Sequence, residues 1–228
     1  MRMRRKPNLD ARMDRCANLL ISTPESLRGR WLELSELPYG ELHIELGCGK
    51  GLFTAEMAKQ SPEALFIGLE KVKNVIVIAL ERVERECLQN VRFINNLADD
   101  LTSFFAPGEV SRIYLNFSDP WPSQRHAKRR LTSQSFLESY KNVLSRDGEI
   151  HFKTDNIPLF EFSLREFQRA GLTVLQENRN LHRNGPAGVM TDYEMKFHGE
   201  GIAINMCIVG RPLAPMPSLP GVNLHGLF

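Results

Sequence analysis

The chain has 228 residues, 42% of them hydrophobic and 25% charged, which suits one large domain or two small ones with a core of ordinary size. The longest apolar runs, such as VIVIAL (75–80), are far too short to span a bilayer, so an integral membrane helix is excluded. The formal net charge of +2 is unevenly spread: residues 1–15 and residues 125–130 carry +4 each, leaving −6 on the remainder.

Four cysteines (Cys16, Cys48, Cys87 and Cys207) are scattered, with no C-x-x-C pair and no histidine at ligand spacing. Neither a disulfide framework nor a metal site follows, and a reducing cytoplasm is the default setting. The opening MRMRRKPNLD is basic but no apolar stretch follows it, so it does not read as a secretory signal.

In chain order, strands and helices alternate. ELHIELG (41–47) reads as a strand ending in glycine, GLFTAEMAKQ (51–60) as a helix, and ALFIGLE (64–70) as a second strand. Across residues 71–88, Val72, Val75, Ile76, Ala79, Leu80, Val83 and Cys87 fall on one helical face. VRFIN (91–95) and SRIYLNF (111–117) are the third and fourth strands. A helix is expected over 132–145, capped by Thr132, then a strand at 149–155 and a helix at 158–171 closed by Gly171. LTVLQEN (172–178) and GIAINMCIVG (201–210) complete the strands; the last is expected to be antiparallel, because the stretch between them lacks a helical pattern. This alternation predicts an α/β fold: a doubly wound, mostly parallel sheet with helices on both faces. Residues 41–210 form the domain, with a basic extension at 1–40 and a Pro-rich tail at 211–228.

The first strand–helix turn, ELGCGKG (45–51), carries Gly47, Gly49 and Gly51. Doubly wound folds bind cofactors at this turn. The G-x-G-x-G spacing differs from the G-x-G-x-x-G that brings a pyrophosphate to a helix N-terminus. It is also preceded by an acid, Glu45, which would repel a pyrophosphate. A carboxylate there favours a cationic cofactor such as S-adenosylmethionine, with its amino group and sulfonium. Glu70 ends the second strand, where a carboxylate accepts from both hydroxyls of a ribose. Capping of the next helix is the plainer role for Glu70, and the two are compatible.

After the fourth strand comes NFSDPWPSQRHAKRR (116–130): Asp119 at the mouth of a basic cluster. The cluster attracts phosphate and Asp119 repels it, so Asp119 is aimed at something else. Together with the basic N-terminus, this resembles a phosphate-backbone footprint; a solvated tail and a solvated loop are the plain alternative.

SDPWPSQRHAKRRLTSQSFL (118–137), HFKTDN (151–156) and TDYEMKF (191–197) together resemble the bacterial tRNA (guanine-N7-)-methyltransferase family, over about Gly29 to Gly210. The resemblance implies a class I methyltransferase fold, S-adenosylmethionine as donor, and transfer to N7 of the variable-loop guanine of tRNA. It implies that Glu45, the glycines and Glu70 bind the cofactor and that Asp119 is both near it and catalytic. Ser123, Asp155, Thr191, Asp192, Tyr193 and Glu194 would contact the substrate nucleotide. Arg125, His126, Lys128, Arg129 and Arg130 would contact RNA. Two departures stand out. Where the family has an acid at the adenine, this chain has Asn96 and Leu97; where it often has lysine after DPWP, this chain has Ser123.

Guanine N7 has a free lone pair and is exposed in the major groove. Alkylation there releases no proton, so no general base is needed, and the product ring is cationic. Asp119 either stabilises that developing charge or accepts from N1–H and N2–H₂ and so orients the base. Pro120 and Pro122 would stiffen the loop, and Trp121 either stacks on the base or packs against the loop. His43 and His151 read as satisfied strand histidines, Met190 and Met195 as packing, and Cys48 as a small residue in a tight loop. Two rival functions remain open: methylation of an exocyclic adenine amine, whose enzymes use a similar acid–proline motif, and a non-catalytic RNA-binding protein on this fold. Whether the chain is a monomer or a homodimer is open.

Overall fold

A computed structural model describes residues 6–34, 37–96 and 101–212. Seven strands form one sheet: β1 (Glu41–Leu46), β2 (Ala64–Leu69), β3 (Val91–Ile94), β4 (Val110–Asn116), β5 (Leu144–Thr154), β6 (Thr173–Asn178) and β7 (Asn205–Gly210). Their order is β3-β2-β1-β4-β5-β7-β6. The first five run parallel, and β7 inserts antiparallel between β5 and β6. The expected doubly wound sheet with its antiparallel last strand is therefore present.

The helices are α1 (Leu9–Arg15), α2 (Leu52–Gln60), α3 (Lys73–Arg85), α4 (Gln134–Val143), α5 (Ile157–Arg169) and α6 (Asp192–Gly199). Period-2 alternation sorts the strand residues onto two cores. Leu42, Ile44, Leu46, Leu65, Ile67, Leu69, Ile150 and Phe152 face one way, packing with Phe160 and Phe167 of α5 and Tyr140 of α4. Phe66, Phe93 and Tyr114 face the other way, against Phe53 of α2 and Ile76, Leu80 and Val83 of α3.

Several local expectations change. Thr132 does not cap α4, which begins after Ser133; the buried Thr132 hydroxyl instead bonds Ser163 Oγ of α5 at 2.7 Å. A hydroxyl facing a second hydroxyl in the core has its partner there and leaves the helix end alone. The stretch lacking helical pattern between β6 and β7 holds α6, a helix of only eight residues made by a capping box. Thr191 accepts from the Glu194 N–H at 3.0 Å, and Glu194 accepts from the Thr191 N–H at 3.2 Å. Met195 is exposed, not packed. Near the N-terminus, α1 lies on α3, tied by Arg12 donating twice to Glu81 at 2.6 Å, and Trp31 is fully buried against Phe105. Gly171 closes α5 as expected, in a left-handed conformation at φ 75°. The Pro-rich tail beyond residue 212 lies outside the described residues.

Gly51 shows why the turn after β1 needs glycine. Its φ is 71°, and a Cβ there would sit 2.6 Å from Ala79 Cβ of α3. At Gly49 (φ 58°) the nearest atom to such a Cβ is 4.0 Å away. Gly51→Ala therefore combines backbone strain with overpacking and should cost roughly 2–4 kcal/mol, against about 1 kcal/mol for Gly49→Ala. Chemical denaturation of both variants checks this; equal losses would show that contact with α3 is not what excludes a side chain at Gly51.

Candidate functional site

Where the sheet order reverses, β1 and β4 are neighbours and their following loops diverge. Such switch points are the binding crevices of open α/β sheets. The glycine loop leaves β1 here, Glu70 follows β2, Asn96 follows β3, Asp119 follows β4 and Asp155 follows β5. The sheet thus brings to one edge every cofactor and base candidate read from its strand ends, apart from Leu97, which lies outside the described residues.

Glu45 is buried beneath the glycine loop, and its two oxygens are held from both sides of the switch point. Thr54 Oγ1 of α2 donates to Oε2, and Asn116 Nδ2 at the end of β4 donates to Oε1 at 2.9 Å. Burial raises its pKa, while the Thr54 and Asn116 hydrogen bonds and the charge of Lys153 oppose the rise. Neither Thr54 nor Asn116 was singled out from sequence as a partner; the signal was the polar residue one turn into an apolar helix and the one ending an apolar strand. The loop above is pinned by Gly47 and Cys48 N–H donating to the Leu69 carbonyl at 2.8 and 3.0 Å. Apart from its chain neighbours, no atom of the described residues lies within 4 Å of where a Cβ at Gly47 would be.

Glu70 takes the modest role too: its Oε1 accepts from Val72 N–H at 2.8 Å at the start of α3. Its second oxygen has no protein partner among the described residues. Asn95 Nδ2 holds the Glu70 carbonyl at 2.8 Å, and Asn96 is exposed just beyond. Along the end of β4, Asn116 Oδ1 and Ser118 Oγ are buried yet have no partner among the described residues. Buried polar atoms left open at a crevice call for a ligand or water. A ribose and a cationic amino-acid moiety, the groups that S-adenosylmethionine carries, fit the donor and acceptor set of Glu45, the glycine loop and Glu70.

Asp119 is exposed, and its carboxylate has no protein partner among the described residues. Ser123, Arg125, His126, Lys128 and Arg129 follow on an exposed segment with a 3-10 turn at Gln124–Arg129. Trp121 is held between Arg129, whose guanidinium lies 4.9 Å from the ring centre, and the His126 ring at 5.7 Å. It packs against its own loop. Arg130 departs from the expected RNA-facing run: it is buried and turned toward the loop's carbonyls. The cost of taking that cation out of water is offset by those bonds.

The TDYE segment divides in the same way. Tyr193 is exposed, and its ring packs on Phe197, which in turn meets Phe117 beside the Asp119 loop. Thr191 and Glu194 are used internally. The fully buried Glu194 carboxylate accepts from Lys153 Nζ at 3.0 and 3.1 Å and from His182 Nε2 at 2.8 Å. The Ala187 N–H donates to His182 Nδ1 at 3.1 Å, which leaves the proton on Nε2. Glu194 therefore anchors α6 and the preceding loop to β5, next to Asp155. His151 is satisfied as expected, by Glu149 at 2.8 Å on its own strand, whereas His43 meets Glu41 at 2.7 Å through Nε2 but its buried Nδ1 has no partner among the described residues.

Two hollows lie elsewhere, one against the start of α1 and one at the opposite ends of β1 and β4. Neither contains a candidate carboxylate, so strand-end geometry and not concavity locates the site. Among the described residues no His, Cys, Asp and Glu cluster could hold a metal ion, and no helix is long and apolar enough to cross a membrane.

This sheet and this crevice define a class I, S-adenosylmethionine-dependent methyltransferase. Solved structures share the fold: the 16S rRNA methyltransferase KamB at TM-score 0.58 and 16% identity, covering 82% of this chain and 92% of that one. A S-adenosylmethionine-dependent methyltransferase from Aquifex aeolicus gives TM-score 0.53 at 14% identity, covering 90% and 98%. The sequence model of a family described as "Putative methyltransferase" matches residues 40–207. The tRNA (guanine-N(7)-)-methyltransferase of Geobacillus thermodenitrificans is 48% identical over 93% of this chain and 98% of that protein. That of Bacillus subtilis is 47% identical over 88% and 94%. The chain belongs to the tRNA (guanine-N(7)-)-methyltransferase family.

Two outcomes test the cofactor side. Glu70→Ala should weaken S-adenosylmethionine binding by roughly 1–3 kcal/mol in calorimetric titration, and Glu70→Gln, which keeps an acceptor for Val72, by less. Unchanged affinity in both folded variants would remove Glu70 from the ribose. Because burial raises the Glu45 pKa, its contribution to stability is fully present below its ordinary value of about 4.5 and is lost as pH rises through the folded value. Glu45→Gln should therefore raise Tm near neutral pH, with the gain vanishing toward pH 4, while cofactor affinity falls. A Tm deficit that is constant with pH would contradict the raised pKa.

Proposed function

We propose that this protein transfers a methyl group from S-adenosylmethionine to N7 of the variable-loop guanine of tRNA. The near-full-length identity to relatives of that name carries the reading. The geometry supports it: an exposed carboxylate, Asp119, with no partner among the described residues, stands at the switch point with an exposed basic segment immediately after it.

When bound, S-adenosylmethionine supplies an electrophilic methyl on a sulfonium. Glu45 and the glycine loop hold its cationic amino-acid end and Glu70 its ribose. Arg125, His126, Lys128 and Arg129 hold the RNA backbone; Asp155, Asp192 and the exposed Tyr193 border the base. The N7 lone pair is the nucleophile, no proton is lost, and the purine becomes cationic. Asp119 acts on the base, through the developing charge or through N1–H and N2–H₂. Thr191 and Glu194 serve the substrate indirectly, by fixing α6. The setting is intracellular, where tRNA is found.

A tRNA bearing 7-deazaguanine at the target retains its Watson–Crick edge and backbone contacts but lacks the reacting lone pair. It should inhibit methylation of normal tRNA competitively and accept no methyl itself. Asp119→Asn should lose kcat with little change in tRNA affinity. An enzyme acting on an adenine amine would methylate the deaza tRNA normally, and that result would replace this reading.

A further inference from the structure

The basic run after DPWP is not uniform. Arg125, Lys128 and Arg129 are exposed, whereas Arg130 is 7% exposed. Its Nε donates to the Pro120 carbonyl at 3.0 Å and its Nη2 to the Trp121 carbonyl at 2.9 Å. Its guanidinium lies 4.3 Å from the centre of the Phe162 ring on α5. Those two carbonyls belong to the residues immediately after Asp119.

The loop needs such a tie. Phe117 and Trp121, on either side of Asp119, adopt φ values of 50° and 40°, in the left-handed region that side chains bearing a Cβ avoid. Local preference does not hold this shape, so tertiary contacts must. Upstream, the Phe117 N–H donates to the Lys153 carbonyl of β5 at 2.9 Å. Downstream, the fixed point is Arg130. A planar guanidinium can bridge two successive carbonyls while stacked on a ring; a lysine ammonium is a point charge on a flexible stem and cannot reproduce that geometry.

We infer that Arg130 is a positioning residue for Asp119 and not a phosphate contact: it clamps the Pro120 and Trp121 carbonyls and so fixes the carboxylate that acts on the base. The kinetic part of this inference rests on the proposed transfer to guanine N7. The structural part does not.

Arg130→Lys separates the alternatives because it conserves charge. A phosphate contact tolerates the change; a two-carbonyl clamp does not. The expected result is a kcat lower by roughly 10- to 100-fold, with the tRNA KM and the salt dependence of tRNA binding unchanged. The chain has two tryptophans, and Trp31 is fully buried, so acrylamide quenching reports on Trp121. Quenching should rise in Arg130→Lys. By contrast, replacing Arg125 and Lys128 by Ser should leave quenching unchanged and reduce the slope of log K against log salt by up to about two units. Parental kcat and quenching in Arg130→Lys would overturn the inference, as would a slope reduced by about one unit in Arg130→Gln. If Arg130→Lys does not fold, Phe162→Leu removes the ring beneath the guanidinium. Lower kcat with an unchanged salt slope supports the clamp, and parental kcat contradicts it. The quenching measurement needs no turnover, so failure of the parent to methylate tRNA would count against the proposed function while the clamp was still tested.

Discussion

The site depends on one buried carboxylate. Glu45 sits at the end of β1, at the point where the sheet order reverses, and is joined to α2 by Thr54 and to β4 by Asn116. These bonds tie the helix that follows the glycine loop to the strand that delivers Asp119 three residues later. Taking a carboxylate out of water is unfavourable, and only hydrogen bonds to both oxygens with a cation close by make it tolerable. On the proposed function, a cationic cofactor above the loop would complete that compensation, and the charge that opposes burial would select the ligand.

A second set of buried contacts carries the arrangement from cofactor to substrate. Phe117, next after Asn116, bonds to Lys153, whose ammonium reaches Glu194 and the Val189 carbonyl. Through Glu194 and His182 the loop before α6 and the helix itself are fixed to β5. A buried ion pair of this kind specifies geometry more than it adds stability. Asp119 and Asp155, in the loops that follow the adjacent parallel strands β4 and β5, are thus framed by the Arg130 contacts on one side and α6 on the other.

Much of this was legible in the sequence for a physical reason. Strands buried on both faces give short apolar runs, and helices over them give a 3.6-residue period, so β1 to β4 and α3 and α5 could be read directly. Of β5 only the second half could be read, because its first residues, 144–148, are mostly polar and continue from the end of α4. The glycines and acids at strand ends were legible because a doubly wound sheet puts all such ends on one edge. What could not be read were contacts between residues far apart in sequence. Thr132 has the right type and place for a cap, yet its partner is Ser163, 31 residues on. The α6 helix has no apolar stripe, and its capping box went unread because the same TDYE segment reads as a substrate loop. Arg130 is indistinguishable in sequence from Arg129; only the carbonyls and the Phe162 ring show that one faces inward and the other outward.

The proposed reaction puts the methyl group on guanine N7. N7-methylguanine carries a fixed positive charge that makes its ring labile to reduction, after which aniline cleaves the strand. Unmodified tRNA should be incubated with the protein and labelled S-adenosylmethionine, reduced, treated with aniline and resolved by length. The account predicts one enzyme-dependent scission, at the variable-loop guanine, in proportion to the label incorporated. Incorporation of label without scission would contradict it and move the chemistry to an exocyclic amine.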